Sequence, residues 1–104
     1  MTVVPVTIRK YVDTAQPGWV ECCLVDASGQ EWIFVEKVPV VTDRPLGPDS
    51  DFPQPGLLAC QVLGTREDSA LGKIATVDTN TPWGVESVDN RTTFDVLLST
   101  LRVI

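Results

Sequence analysis

The chain has 104 residues, no histidine, and 14 Asp plus Glu against 8 Lys plus Arg, giving a formal net charge of −6. That length suits one domain around one hydrophobic core, and the missing histidine removes Ser-His-Asp and Cys-His nucleophile activation together with the usual zinc and iron ligand sets. The acids are scattered from Asp13 to Asp95 and the only adjacent basic pair is Arg9 and Lys10, which argues against nucleic acid and for a folded acidic surface suited to a basic protein partner.

In the first segment, Val3 to Val12, residues Val4, Val6, Ile8 and Val12 share one parity while Thr7, Arg9 and Tyr11 share the other. This alternation predicts a half-buried strand. Pro5 lacks a ladder donor and argues for an edge position, with the strand beginning at an edge, or for pairing that begins just after it. Ala15 to Gly18 is a turn signal, and Trp19 to Asp26, an apolar run broken by Glu21, predicts a central strand. Asp26 to Gln30 supplies turn residues before Trp32 to Val41, whose β-branched and aromatic content favours a strand. Strands two and three are expected to form a hairpin with Trp19 and Trp32 in the core. Pro39 marks an edge, a bulge or the end of pairing.

From Thr42 to Pro55 four prolines, Gly47, Asp43, Asp49 and Asp51 preclude a regular element. A connection this long is usually functional or mobile, and its prolines restrict the free state, so it is expected to be held near one shape. Leu46 and Phe52 are expected to pin it to the barrel with its carboxylates outward.

Gly56 to Gly64 predicts a strand, Arg66 to Gly72 a polar loop, and Lys73 to Thr79 the returning strand of a hairpin. Asn80 to Gly84 is a turn that carries Trp83, followed by a short strand at Val85 to Val88. Asp89 to Arg91 makes a tight connection, with Asn90 at positive φ, into a strand from Thr92 to Leu98. The tail (Leu97, Leu98, Leu101, Val103, Ile104) fits a closing strand or a single helical turn. The sum is an all-β fold, a small partly open β-barrel or sandwich of six to seven mainly antiparallel strands, with a short C-terminal helical turn as an option.

Cys22, Cys23 and Cys60 are odd in number and lie in apolar runs, so they are expected to be free, buried and structural. Asp49-Ser50-Asp51 offers oxygens but lacks the other ligand positions of a calcium loop, and no glycine-rich phosphate motif is present. No cofactor or metal is expected. Asn90-Arg91-Thr92 matches a glycosylation acceptor in form only, because residues 1 to 20 carry no leader pattern and no run is long enough to span a membrane. A cytoplasmic location is therefore expected.

The sequence points to a non-enzymatic protein-interaction module, in one version an immunity-type inhibitor of a basic protein. Its expected surface is the 42–55 loop, through Asp43, Asp49, Asp51 and Phe52, acting with Trp83. Trp83 lids the barrel end or anchors a partner. The alternative is small-ligand binding or carboxylate-based catalysis at a barrel mouth, which requires several acids to converge in one pocket. Oligomeric state is left open.

Overall fold

The fold is described from a computed structural model that covers residues 1–104. Its elements in chain order are β1 (Thr2–Asp13), β2 (Trp19–Val25), β3 (Glu31–Lys37), the helical turn α1 (Val38–Val41), β4 (Gln54–Asp68), β5 (Gly72–Asp78), β6 (Thr93–Leu97), a 3-10 turn (Leu98–Thr100) and β7 (Arg102–Val103). All pairings are antiparallel, in the order β3-β2-β1-β4-β5-β6, with β7 against β1.

The sheet curls into a half-barrel because its two ends meet. Phe94 of β6 packs against Trp32 and Phe34 of β3, with ring centroids 5.7 Å and 5.5 Å apart. The Ala27 N–H donates to the Asp95 carbonyl at 2.8 Å, tying the β2–β3 turn to β6. The segment between β5 and β6 covers the remaining gap, its Val88 N–H donating to Ile33 O of β3 at 2.8 Å. Inside lie Val4, Val6, Ile8, Val20, Cys22, Leu24, Phe34, Leu58, Cys60, Ala75, Val77, Phe94 and Val96, with Val38 and Val41 of α1 and Val85 of the covering segment completing the core.

Alternation locates these strands, and the departures from it have physical causes. β1 is central in the sheet order but has one side open at Pro5, and its pairing with β2 begins just after it: β4 pairs β1 from Thr2 to Ile8 and β2 from Thr7 to Asp13. Pro5 is tolerated because the side of β1 away from β4 is open there, between the β7 pairing at Thr2 and Val3 and the β2 pairing from Thr7. Register shifts between Ile8 and Lys10 and between Tyr11 and Asp13 reset the parity of β1. Tyr11 therefore packs on the core and Val12, expected inside, is 43% exposed. Trp19 and Trp32, also expected in the core, are half-buried, Trp32 packing against the core from its rim.

The third strand stops at Lys37 rather than Val41. Pro39 cannot donate to a ladder but suits the first turn of a helix, and Val38 and Val41, three residues apart, then both face the core. β4 runs through Arg66, Glu67 and Asp68, which sequence assigned to a loop. Gln61 to Glu67 are all exposed, although Ile74, Ala75 and Val77 opposite them on β5 are buried, since this half of β4 runs past the end of β1 and has no strand on its other side. The turn is only Ser69 to Leu71, closed by the Asp68 carboxylate accepting from the Ala70 and Leu71 N–H groups at 2.8 Å and 2.9 Å. Val85 to Val88 forms no strand; it is held by single bonds, Val85 N–H to Thr79 O at 3.1 Å and Val88 N–H to Ile33 O. Asn90 has φ 61°, as its place in a tight connection requires. The C-terminal tail adopts both of its options, a 3-10 turn and then β7.

Candidate functional site

The main concavity is an open groove of about 440 Å³ on the face of β1 and β4 that carries Val3 and Ala59. Val3 pairs with Ala59 and Pro5 with Leu57 across the ladder, so these four residues share one face and form the floor. Val3 and Ala59 are 2% and 4% exposed, although they lie outside the main core cluster. The groove is bordered by Pro39 and Val40 of α1, by Thr42, Asp43 and Arg44 at the start of the proline-rich loop, by Met1, Arg102 and Ile104, and by Trp83.

Local chemistry fixes this border. Thr42 Oγ1 accepts the Arg44 N–H at 3.2 Å and Arg44 Nη2 donates to the Pro55 carbonyl at 2.8 Å, fastening the loop to β4. Gly56 lies beneath α1, where an added Cβ would stand 2.9 Å from Ile8 Cγ1 and 3.0 Å from the Val41 carbonyl oxygen. Only glycine lets α1 sit this close to β4. The charged side chains on the border are Asp43, Arg44 and Arg102, one acid and two bases.

The expected site residues divide. Asp43 and Trp83 both line the groove, so the start of the loop and the Trp83 turn do lie together. Trp83 is 60% exposed. Asp49 and Asp51 are exposed farther along the loop and do not line the groove, and Phe52 packs against the core beside Leu46 as a pin. Ser50 Oγ accepts the Gly47 N–H at 2.9 Å and Gln54 Nε2 donates to Asp51 O at 2.7 Å, so the loop is bonded to itself. Sequence reasoning missed the floor. Its one signal was that Val3 to Val6 and Leu57 to Cys60 are apolar on both parities, which marks strands covered on both faces.

A second, smaller crevice of about 130 Å³ carries Asp26, Arg66, Asp68, Arg91 and Asp95. Here every charge is engaged. Asp26 Oδ1 accepts from the Ser28 N–H, the Ser28 hydroxyl and the Gln30 N–H, while Oδ2 accepts from Trp32 Nε1 at 2.9 Å. Burial pushes the Asp26 carboxyl upward, and these hydrogen bonds outweigh it and hold the group below its ordinary value. Asp95 accepts from Arg66 at 3.0 Å and Thr76 Oγ1 at 2.6 Å, which also lower it. Asp68 is lowered by the Leu71 and Ala70 N–H groups. The Arg91 guanidinium sits 4.3 Å from the Trp32 ring centroid, and its Nε donates to Thr93 O at 2.7 Å. These residues join the two ends of the half-barrel.

The thiols are free and buried. Burial, with Glu36 and Glu21 nearby, pushes Cys22 up to about 12. Burial alone pushes Cys60 up to about 11, and burial raises Cys23 as well. None is an activated nucleophile. No group of three or more Asp, Glu and Cys is arranged to hold a metal ion, and no helix is long and apolar enough to cross a membrane. No family model matches the chain, and no curated protein or solved structure matches it either.

Proposed function

We propose that the chain is a non-enzymatic protein-interaction domain whose groove receives an apolar segment of a protein partner, with Trp83 as the anchor. The observation that carries this reading is a tryptophan 60% exposed on the border of an apolar groove. A domain this small needs nearly all its large apolar side chains for its core, and tryptophan is enriched among residues that dominate binding energy. The groove floor is a paired ladder and its border is hydrogen-bonded, so little ordering cost falls on binding. The formal charge of −6 favours a basic partner through long-range steering, an immunity-type inhibitor being one form of this reading. Carboxylate chemistry has less support: the groove has one carboxylate, and Asp26, Asp68 and Asp95 are held ionised rather than poised near neutrality.

The test is capture of partners from the native host by the wild-type chain and by Trp83→Ala, both shown to be folded. A partner held through the groove should lose at least about 2 kcal/mol of affinity with Trp83→Ala. Equal recovery by the two proteins would place the functional surface elsewhere.

A further inference from the structure

β4 is paired on different sides along its two halves. Gln54 to Cys60 lie against β1, while Gln61 to Asp68 lie against β5. On its other side the second half meets nothing, because β1 reaches only to Thr2, opposite Cys60. Gln61 to Glu67 are exposed throughout, with Val62 at 38% and Leu63 at 54%, and a Cβ added at Gly64 would meet nothing within 4 Å. The end strands of the sheet are protected differently: β3 is bonded at Ile33 by Val88, and β6 at Asp95 by Ala27. This stretch of β4 is a free edge of backbone donors and acceptors, with one bulge between Val62 and Gly64 and apolar side chains beside it, a template for strand addition.

We propose that this edge is a self-association site, at which a second copy of the chain lays its own Gln61–Asp68 antiparallel to the first and the two β4–β5–β6 meanders join as one six-stranded sheet. The backbone row requires an extended strand, and that strand must stop where Thr2 occupies the position opposite Cys60. β4 of a second copy meets this limit, since its ladder ends at Asp68 and the chain turns at Ser69 to Leu71. Charge selects the direction. The half from Gln61 to Thr65 is uncharged and the half from Arg66 to Asp68 is charged, so antiparallel pairing sets Glu67 and Asp68 opposite uncharged residues. Parallel pairing in register would stack acid on acid. In an antiparallel ladder hydrogen-bonded and non-hydrogen-bonded pairs alternate, so a twofold axis must pass through a residue paired with itself, here Thr65, since an axis at Gly64 would set Asp68 opposite Cys60 where Thr2 already lies. Arg66 keeps its bond to Asp95 within its own chain. The formal charge of −6 on each copy opposes the contact, so added salt should strengthen it.

The site is independent of the groove and is tested without any partner. Sedimentation at submillimolar concentration should give a doubled mass, more completely in about 1 M salt, where the Debye length falls to about 3 Å. The double variant Gly64→Lys, Thr65→Lys points two exposed side chains into solvent and sets the new lysines at position 65 of the two copies opposite each other. It should keep its circular dichroism and remain monomeric. Under mild oxidation Thr65→Cys should cross-link to a dimer, while Lys73→Cys, on the neighbouring strand β5, should not. A monomeric wild-type chain in high salt, or a dimer indifferent to the double variant, would overturn the proposal. Protection of the 61–68 amides only when host extract is added would overturn it too, by assigning the edge to a strand from another protein.

Discussion

At Cys22 and Cys60 burial acts on both packing and ionisation. Each thiol fills core volume and each is raised, to about 12 and about 11. Thiolate is the reactive form, so modification of the native protein by a disulfide reagent should be slow, and fast only in denaturant; rapid reaction of the native chain would mean that the barrel opens readily. The raised values also set a pH dependence. The unfolded thiols ionise near 9 and the folded ones do not, so their contribution to stability is complete below pH 9 and is lost as pH rises toward 11 and 12. Urea midpoints measured upward from pH 9 should fall, and Cys22→Ala should flatten that fall at the cost of about 1 kcal/mol or more in neutral solution. Asp26 works in the opposite sense. Its folded value lies below 3.8, so its contribution is complete above that pH and is lost as pH falls through the lower folded value. Asp26→Ala, which removes its bonds to Ser28, Gln30 and Trp32, should cost about 2 kcal/mol at neutral pH by urea unfolding.

Among the elements, α1 and the loop after it show where sequence is informative and where it is not. Strands β1, β2, β5 and β6 were legible because each buries one face or two between turn residues. Val38 to Val41 was not, since four residues fit a strand end as well as a helical turn and the choice was made by Pro39 and the core position of Val41. Val85 to Val88 reads as a strand by composition, yet only Val85 and Ser87 are buried and no neighbouring strand runs alongside it. On the border of the groove, Trp83 was legible as a tryptophan outside any strand and Asp43 as a carboxylate of the proline-rich loop. The floor was not, because a strand covered on both faces looks the same whether the second cover is core or groove. Two substitutions test the element itself. Gly56→Ala should destabilise by about 1–3 kcal/mol, because the new methyl would press on Ile8 and on the Val41 carbonyl. Replacing Asp43, Asp49 and Asp51 together by Asn should shift stability by no more than about 0.5 kcal/mol, since all three are exposed.

Across the whole molecule the half-barrel depends on one seam. Phe94 is 1% exposed and touches both aromatic rings of β3, so Phe94→Ala should cost about 3–5 kcal/mol, whereas Trp83→Ala, on the outside, should change stability by no more than about 0.5 kcal/mol. Thermal melts of the two variants side by side check this contrast, and equal losses would contradict the placement of Trp83. β1 has a separate importance, as the strand through which the β2–β3 hairpin and the β4–β5–β6 meander are joined in the sheet order. Its link to β2 forms between neighbours in the chain, but its link to β4 pairs Thr2 with Cys60 and must wait for a long loop to close. Refolding should therefore be slow for the chain's size, in the millisecond-to-second range of non-local β topologies. Weakening the β1–β4 ladder, as with Val4→Ala, should act mainly on the refolding limb of the kinetics, so that the one strand shared by both halves of the sheet sets the pace at which the rest becomes native.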